Sequence, residues 1–142
     1  MIKSVAGIIF IKNKYLFQIR DKKSSIWFPG YSGFFGGLVD KNETPYKAIK
    51  REIFEELNTP VLKAELLIKA NFKPHKLKKN RERYYYLLNL KKNFEKKLVI
   101  NEGSGFKFLS IKEINLNEMI PWDITAIFYH QLLIKKKKFI PK

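Results

Sequence analysis

With 142 residues, 45% of them apolar and 15% aromatic, the chain has material for one packed domain and is too apolar for a disordered segment. Cysteine is absent, which excludes a disulfide framework and thiol chemistry and points to a reducing cytoplasm, while no apolar run reaches the ~20 residues that span a bilayer. The net charge of +16 favours anionic partners such as nucleotides or nucleic acid, although lysine and asparagine are abundant throughout and the charge also reads as compositional.

In chain order, residues 3–11 form a β-branched apolar run and predict a buried strand rather than a signal peptide, since no small-residue cleavage site follows. Lys12-Asn13-Lys14 turns the chain, and residues 15–20 return as a second strand ending at Arg20. Residues 21–33 read as a loop that interleaves Trp27, Phe28 and Tyr31; these rings either cover the core or stack on a base. Residues 34–39 predict a short strand carrying Gly36-Gly37, and paired glycines let a backbone come close to a ligand or metal.

A helix follows. Thr44 is placed to cap it and Pro45 suits its first position, where the missing N–H is no loss. Asn58 suits the left-handed residue that ends a helix, and Pro60 prevents continuation. Ile49, Ile53 and Leu57 recur at i, i+4 and i+8 as an apolar edge. Beside it Glu52, Glu55 and Glu56 share one face at i, i+3 and i+4. Three like charges in a stripe repel one another; a hard divalent cation in front of them reverses that, and a solvated acidic helix is the plainer alternative.

Residues 62–72 predict a strand, residues 73–83 a basic connection, and residues 84–90 an apolar strand covered on both faces. After a charged turn the chain resumes an extended course over 98–100, and residues 101–105 are a glycine-rich loop carrying Glu102. A strand over 106–109 precedes Ser110 and Glu113, whose capping-box spacing predicts a short helix from Ile111. Pro121 opens a last helix over 122–136, with Ile124, Ile127, Phe128, Gln131 and Leu132 as its apolar face and His130 on its surface. Asp123 stands at its start, as a cap or as a residue reaching a ligand, and Lys135 to Lys138 suit its C-terminal dipole. His75 and His130 show no metal-ligand spacing, and neither a phosphate-binding Gly-Lys-Ser/Thr loop nor a nucleophile elbow is present. The element order predicts one α/β domain over residues 1–142, with a mixed sheet covered on both sides.

From Gly37 to Thr59 the chain resembles the Nudix hydrolase signature: Gly37, Glu43, Arg51, Glu52, Ile53, Glu55 and Glu56 all fall in register. Asn58 replaces the final glycine, Thr59 the last aliphatic residue, and Phe35 a proline usual before the glycine pair. Five of the chain's thirteen acids (Asp40, Glu43, Glu52, Glu55 and Glu56) lie in this stretch, so a basic protein concentrates its carboxylates there.

The resemblance implies a Nudix-like α/β/α sandwich and hydrolysis of a diphosphate linkage in a nucleoside diphosphate derivative, with Mg²⁺ or Mn²⁺ as cofactor. It implies Glu52, Glu55, Glu56, the Gly37 carbonyl and Glu102 as metal ligands, Glu52 also as proton acceptor, and Glu43 paired with Arg51. Arg20 matches a phosphate-contacting position, with a surface ion pair to Asp21 or another acid as the alternative. Asp123 matches a helix-start position that lies near the nucleobase in mutator-type members, and Trp27 and Phe28 are the rings that would stack on a base unless they cover the core. A mutator-type nucleoside triphosphate pyrophosphohydrolase is the first substrate class, although Leu38 stands where some such enzymes have lysine. A nucleotide-sugar hydrolase, a pyrophosphohydrolase of RNA 5′ ends and a non-catalytic nucleotide- or RNA-binding module are the alternatives. A small nucleotide is the expected partner, with RNA and a homodimer left open and no membrane.

Overall fold

The computed structural model describes residues 1–73, 75, 79–99 and 103–135. Along the described chain run β1 (Ile2–Ile8), β2 (Phe10–Ile11), β3 (Lys14–Ile19), β4 (Ser32–Gly33), β5 (Phe35–Leu38), α1 (Pro45–Leu57), β6 (Val61–Phe72), β7 (Arg81–Leu90), β8 (Gly105–Leu109) and α2 (Pro121–Lys135). β1 lies at the centre, parallel to β7 on one side and antiparallel to β5 on the other, and β6 extends the sheet beyond β7. A second sheet is built on β3, which pairs antiparallel with β2, β4 and β8. β1 runs parallel to β7 and antiparallel to β5, so the sheet is mixed, as expected.

Two apolar layers separate the sheets from the helices. On one side Ile49, Ile53 and Leu57 of α1 pack with Val5, Leu16, Phe35 and Leu88. On the other Ala126 and Ile127 of α2 pack with Ile8, Phe17, Phe34 and Tyr85. The α1 edge found in the sequence is therefore the buried one. Thr44 Oγ1 accepts from the Lys47 N–H at 3.2 Å, and Asn58 is left-handed, at φ 54° and ψ 36°. Asn tolerates that conformation almost as well as the glycine it replaces.

Elsewhere the structure departs from expectation. The first strand breaks at Ile9, where the chain leaves the central sheet and enters the second as β2. β7 begins at Arg81 rather than Tyr84, because its pairing with β1 and β6 holds the arginines in the ladder. Leu98 is extended as expected, at φ −67° and ψ 126°, but neither it nor Val99 joins a strand, and Ile100 lies outside the described residues. Glu113 does accept from the Ser110 N–H at 3.0 Å, but residues 111–113 form a turn and not a helix. In α2 the buried residues are Asp123, Ala126, Ile127 and His130, whereas Phe128 and Leu132 are half exposed. His130 is thus a core residue: the Tyr15 hydroxyl and His130 Nδ1 share a hydrogen bond of 2.6 Å, and burial pushes the imidazole's pKa down. α2 is apolar nearly all round, so its sequence could not say which side faced inward. Lys136 to Lys138 lie outside the described residues. No described helix is long and apolar enough to cross a membrane.

Candidate active site

The site starts at Arg51. Its Nε and Nη2 donate to the two oxygens of Glu43 at 2.7 and 2.8 Å, a bidentate pair. Nη2 also reaches the Leu38 carbonyl at 3.0 Å, and Nη1 donates to Glu52 at 2.9 Å and to Glu55 at 3.2 Å. Asp40 stands 3.5 Å from Nε, and its own N–H donates to Glu43 at 3.0 Å. One guanidinium thus ties the loop after β5 to the acidic face of α1. The Arg51 hydrogen bond, then the Asp40 N–H, bring the Glu43 carboxyl down to about 2, while Glu43 pushes the Arg51 pKa up.

Glu56, one helical turn beyond Glu52, is 1% exposed. It accepts from the Gly36 N–H and from Gln18 Nε2, each at 3.1 Å. The glycine pair makes this approach sterically feasible. A Cβ on Gly36 would lie 2.0 Å from the Val5 carbonyl oxygen, which belongs to the neighbouring backbone and cannot yield. A Cβ on Gly37 would lie 2.5 Å from the Glu52 carboxylate. Glycine here keeps β5 against β1 and leaves room beside Glu52.

Gly36 and Gly37 also line a cleft of about 400 Å³ with Gln18, Arg20, Trp27, Phe28, Phe72, Arg81, Arg83 and Trp122. Trp122 is its aromatic hub, with ring centroids 5.9 Å from Trp27, 5.3 Å from Phe28 and 5.1 Å from Phe72. Beside it a cavity of about 420 Å³ is lined by Gln18, Arg20, Gly36, Glu56 and Gly103. A larger cavity, about 1050 Å³, lies near Phe94 and His130 and includes none of the α1 carboxylates. Size alone does not mark the chemistry; the convergence of carboxylates, glycines and arginines does.

The structure brings together Gly37, Glu43, Arg51, Glu52, Glu55 and Glu56, and it places Arg20, Trp27 and Phe28 on the adjoining cleft. Arg20 Nε donates to the Trp27 carbonyl at 2.7 Å, while Asp21 accepts from Ser104, so the alternative of an Arg20–Asp21 ion pair is not formed. Glu102 lies outside the described residues. As the side chains stand, no set of three acidic, His or Cys groups among the described residues closes on one point. Arg51 draws Glu52 and Glu55 towards itself, and Glu56 is turned to Gly36.

Asp123 needs correction as a base-contacting residue. It is fully buried; one oxygen accepts from the Phe34 N–H at 3.0 Å, the other from the Tyr85 hydroxyl at 2.8 Å and from Arg83 Nε at 3.3 Å. It is a strut joining β7, α2 and the chain beside β4, neither a cap nor a group open to the cleft. The sequence reading also missed Gln18, Phe72, Arg81 and Arg83. Arg81 and Arg83 are two apart in a strand, so they share one face. That signal was present but was read as part of a basic loop.

The architecture and the acidic helix define a mixed α/β domain with a carboxylate-rich site, and the family comparison is specific: the NUDIX domain model matches residues 1–129. The chain belongs to that family and is a Nudix-type pyrophosphohydrolase. Solved structures share the fold at low identity. The MutT NUDIX hydrolase of Burkholderia pseudomallei is 18% identical with a TM-score of 0.76, over 90% of this chain and 96% of that one. The E. coli ORF135 protein is 22% identical with a TM-score of 0.77, over 99% and 95%. The MutT protein of Methanosarcina mazei Go1 is 20% identical with a TM-score of 0.68, over 96% and 95%. Among curated proteins none matches the sequence.

Proposed function

We propose that this chain, a single catalytic domain over residues 1–142, hydrolyses a nucleoside triphosphate to the monophosphate and pyrophosphate with Mg²⁺ or Mn²⁺. One observation carries the reading. The carboxylates of Glu52 and Glu56 abut a glycine pair on β5, and the same pair lines a cleft walled by arginine and aromatic side chains.

The donors suit a hard divalent cation, being carboxylate and carbonyl oxygens, and Gly37 leaves beside Glu52 a space that any side chain would fill. Glu52, Glu55, Glu56 and the Gly37 carbonyl would hold the ion, with Glu102 assigned from the sequence as a further ligand. When bound, it neutralises charge on the diphosphate and lowers the pKa of water. The protein's own residues position and move the proton. Arg51, fixed by Glu43, orients Glu52 and Glu55. Glu52 accepts the proton of the attacking water as its oxygen bonds to phosphorus and the bridging P–O bond breaks. Arg20, on the cleft wall, contacts phosphate oxygens, and Trp27 and Phe28 stack on the base.

Release of phosphate or pyrophosphate across nucleoside triphosphates, nucleotide sugars and 5′-triphosphorylated RNA tests the reading. At least one nucleotide should be hydrolysed with Mg²⁺ and none in EDTA; inertness towards the whole panel contradicts it. The +16 charge favours RNA 5′ ends as a second substrate class. A chain without cysteine is assigned with this function to a reducing cytoplasm.

A further inference from the structure

Glu56 is the most enclosed of the three α1 glutamates, and both sheets hold it. The Gly36 N–H of β5 donates to one oxygen, and Gln18 Nε2 of β3 donates to the other, each at 3.1 Å. Facing a carboxylate, the Gln18 amide has to present its nitrogen. That amide is itself backed by the loop before β8. A Cβ on Gly103 would lie 3.0 Å from Gln18 Nε2 and 2.8 Å from the Ile19 carbonyl oxygen, and Gly103 is left-handed, at φ 83°. The Ser104 N–H donates to the same Ile19 carbonyl at 2.9 Å, which fixes the loop there. The Gln18 amide is thus confined between Glu56 and the Gly103 turn.

Two donors on different oxygens fix the plane of a carboxylate as well as its position. They also replace part of the hydration that Glu56 loses on burial. Arg51 holds Glu52 and Glu55 with a positive charge, whereas the Gln18 amide and the Gly36 N–H are neutral. A neutral donor orients a carboxylate without cancelling its charge, and a carboxylate has about four acceptor positions, so such donors and a cation can share it. Gln18 and Glu56 line the same cavity of about 420 Å³.

We propose that Gln18 is a positioning residue of the metal site. Its amide holds the Glu56 carboxylate in a fixed orientation before the ion arrives, and its neutrality leaves the charge of Glu56 to the ion. The inference rests on the metal-dependent hydrolase reading above and adds a determinant of its metal affinity.

The test is the Mn²⁺ affinity of the nucleotide-free protein, read from the electron paramagnetic resonance signal of free Mn²⁺. Wild type is compared with Gln18→Met, which keeps the length without the N–H, and with Gln18→Lys, which keeps a donor but charges it. The Kd should rise about tenfold or more in Gln18→Met, as for other groups that orient a metal ligand. Gln18→Lys should not restore it, because an ammonium beside Glu56 opposes the incoming cation. Gln18→Asn, whose amide is withdrawn by one methylene, should show the same loss and replaces Gln18→Met if that variant does not fold. The half-saturating Mg²⁺ for hydrolysis should move by the same factor, with kcat at saturating Mg²⁺ near wild type; a purely structural role would lower Tm and leave the metal midpoint in place. Unchanged Mn²⁺ affinity in folded Gln18→Met or Gln18→Asn, or wild-type affinity in Gln18→Lys, overturns the proposal. Mn²⁺ binding that weakens in Gln18→Met, in a protein that hydrolyses no nucleotide, would defeat the hydrolase reading and leave the role of Gln18 standing. A wild type without Mn²⁺ affinity overturns both.

Discussion

Arg51 contacts four carboxylates, those of Asp40, Glu43, Glu52 and Glu55, and its protonation is the condition for all of them. Its partner Glu43 titrates at about 2 against an ordinary value of 4.5. The folded state therefore binds the proton less readily than the unfolded chain. The pair's contribution is complete above 4.5 and disappears as pH falls towards about 2. The gap in urea midpoint between wild type and Glu43→Gln should accordingly be constant above that window and close through it; a gap that widens on acidification contradicts the pairing. Asp123 belongs to the same scale. Asp123→Ala leaves Arg83 charged and enclosed, since the Arg83 side chain is 12% exposed, and should destabilise the fold by about 3–5 kcal/mol in denaturant titrations. A loss below about 1 kcal/mol would return Asp123 to the role of a simple helix-start residue. The two cases show what sequence spacing can carry. Glu43 and Arg51 are eight residues apart, joined by one loop and two helical turns, and were paired from the sequence. Asp123 meets Arg83 and Phe34 across 40 and 89 residues, through a sheet arrangement that no local pattern contains.

At the scale of elements, α1 was legible from end to end because each of its signals is local: Thr44 at its start, Asn58 at its close, and an apolar edge beside an acidic one. α2 was legible in extent but not in facing, since apolar residues surround it and burial was decided by the second sheet. The outcome put His130 against Tyr15 and Phe10, with ring centroids 5.5 and 5.0 Å away. Burial holds its pKa below the ordinary 6.5, so the unfolded chain takes up a proton that the folded one refuses. Stability from this residue is complete above 6.5 and falls as pH drops below it. Denaturant midpoints followed through that range should decline more steeply in wild type than in His130→Gln. Parallel curves would mean that His130 is solvated, as its sequence suggested.

Across the whole molecule, the +16 charge coexists with a local concentration of acids on α1. The Arg51 network reconciles the two locally, since one guanidinium pairs with Asp40, Glu43, Glu52 and Glu55. If RNA is a substrate, its affinity should fall log-linearly and steeply with salt. RNA binding undetectable at low salt would remove that substrate class and leave the small nucleotides.

The central claim is that the carboxylates of α1, gathered between Arg51 and the Gly36-Gly37 pair, carry the hydrolysis. Its most direct test is kcat with Mg²⁺ for Glu55→Gln beside wild type. Glu55 is half exposed, so the change spares the core, and circular dichroism can verify the fold. The rate should fall by about 10²-fold or more, a loss of ~3 kcal/mol in transition-state stabilisation. A folded Glu55→Gln protein that turns over at nearly the wild-type rate would contradict the assignment.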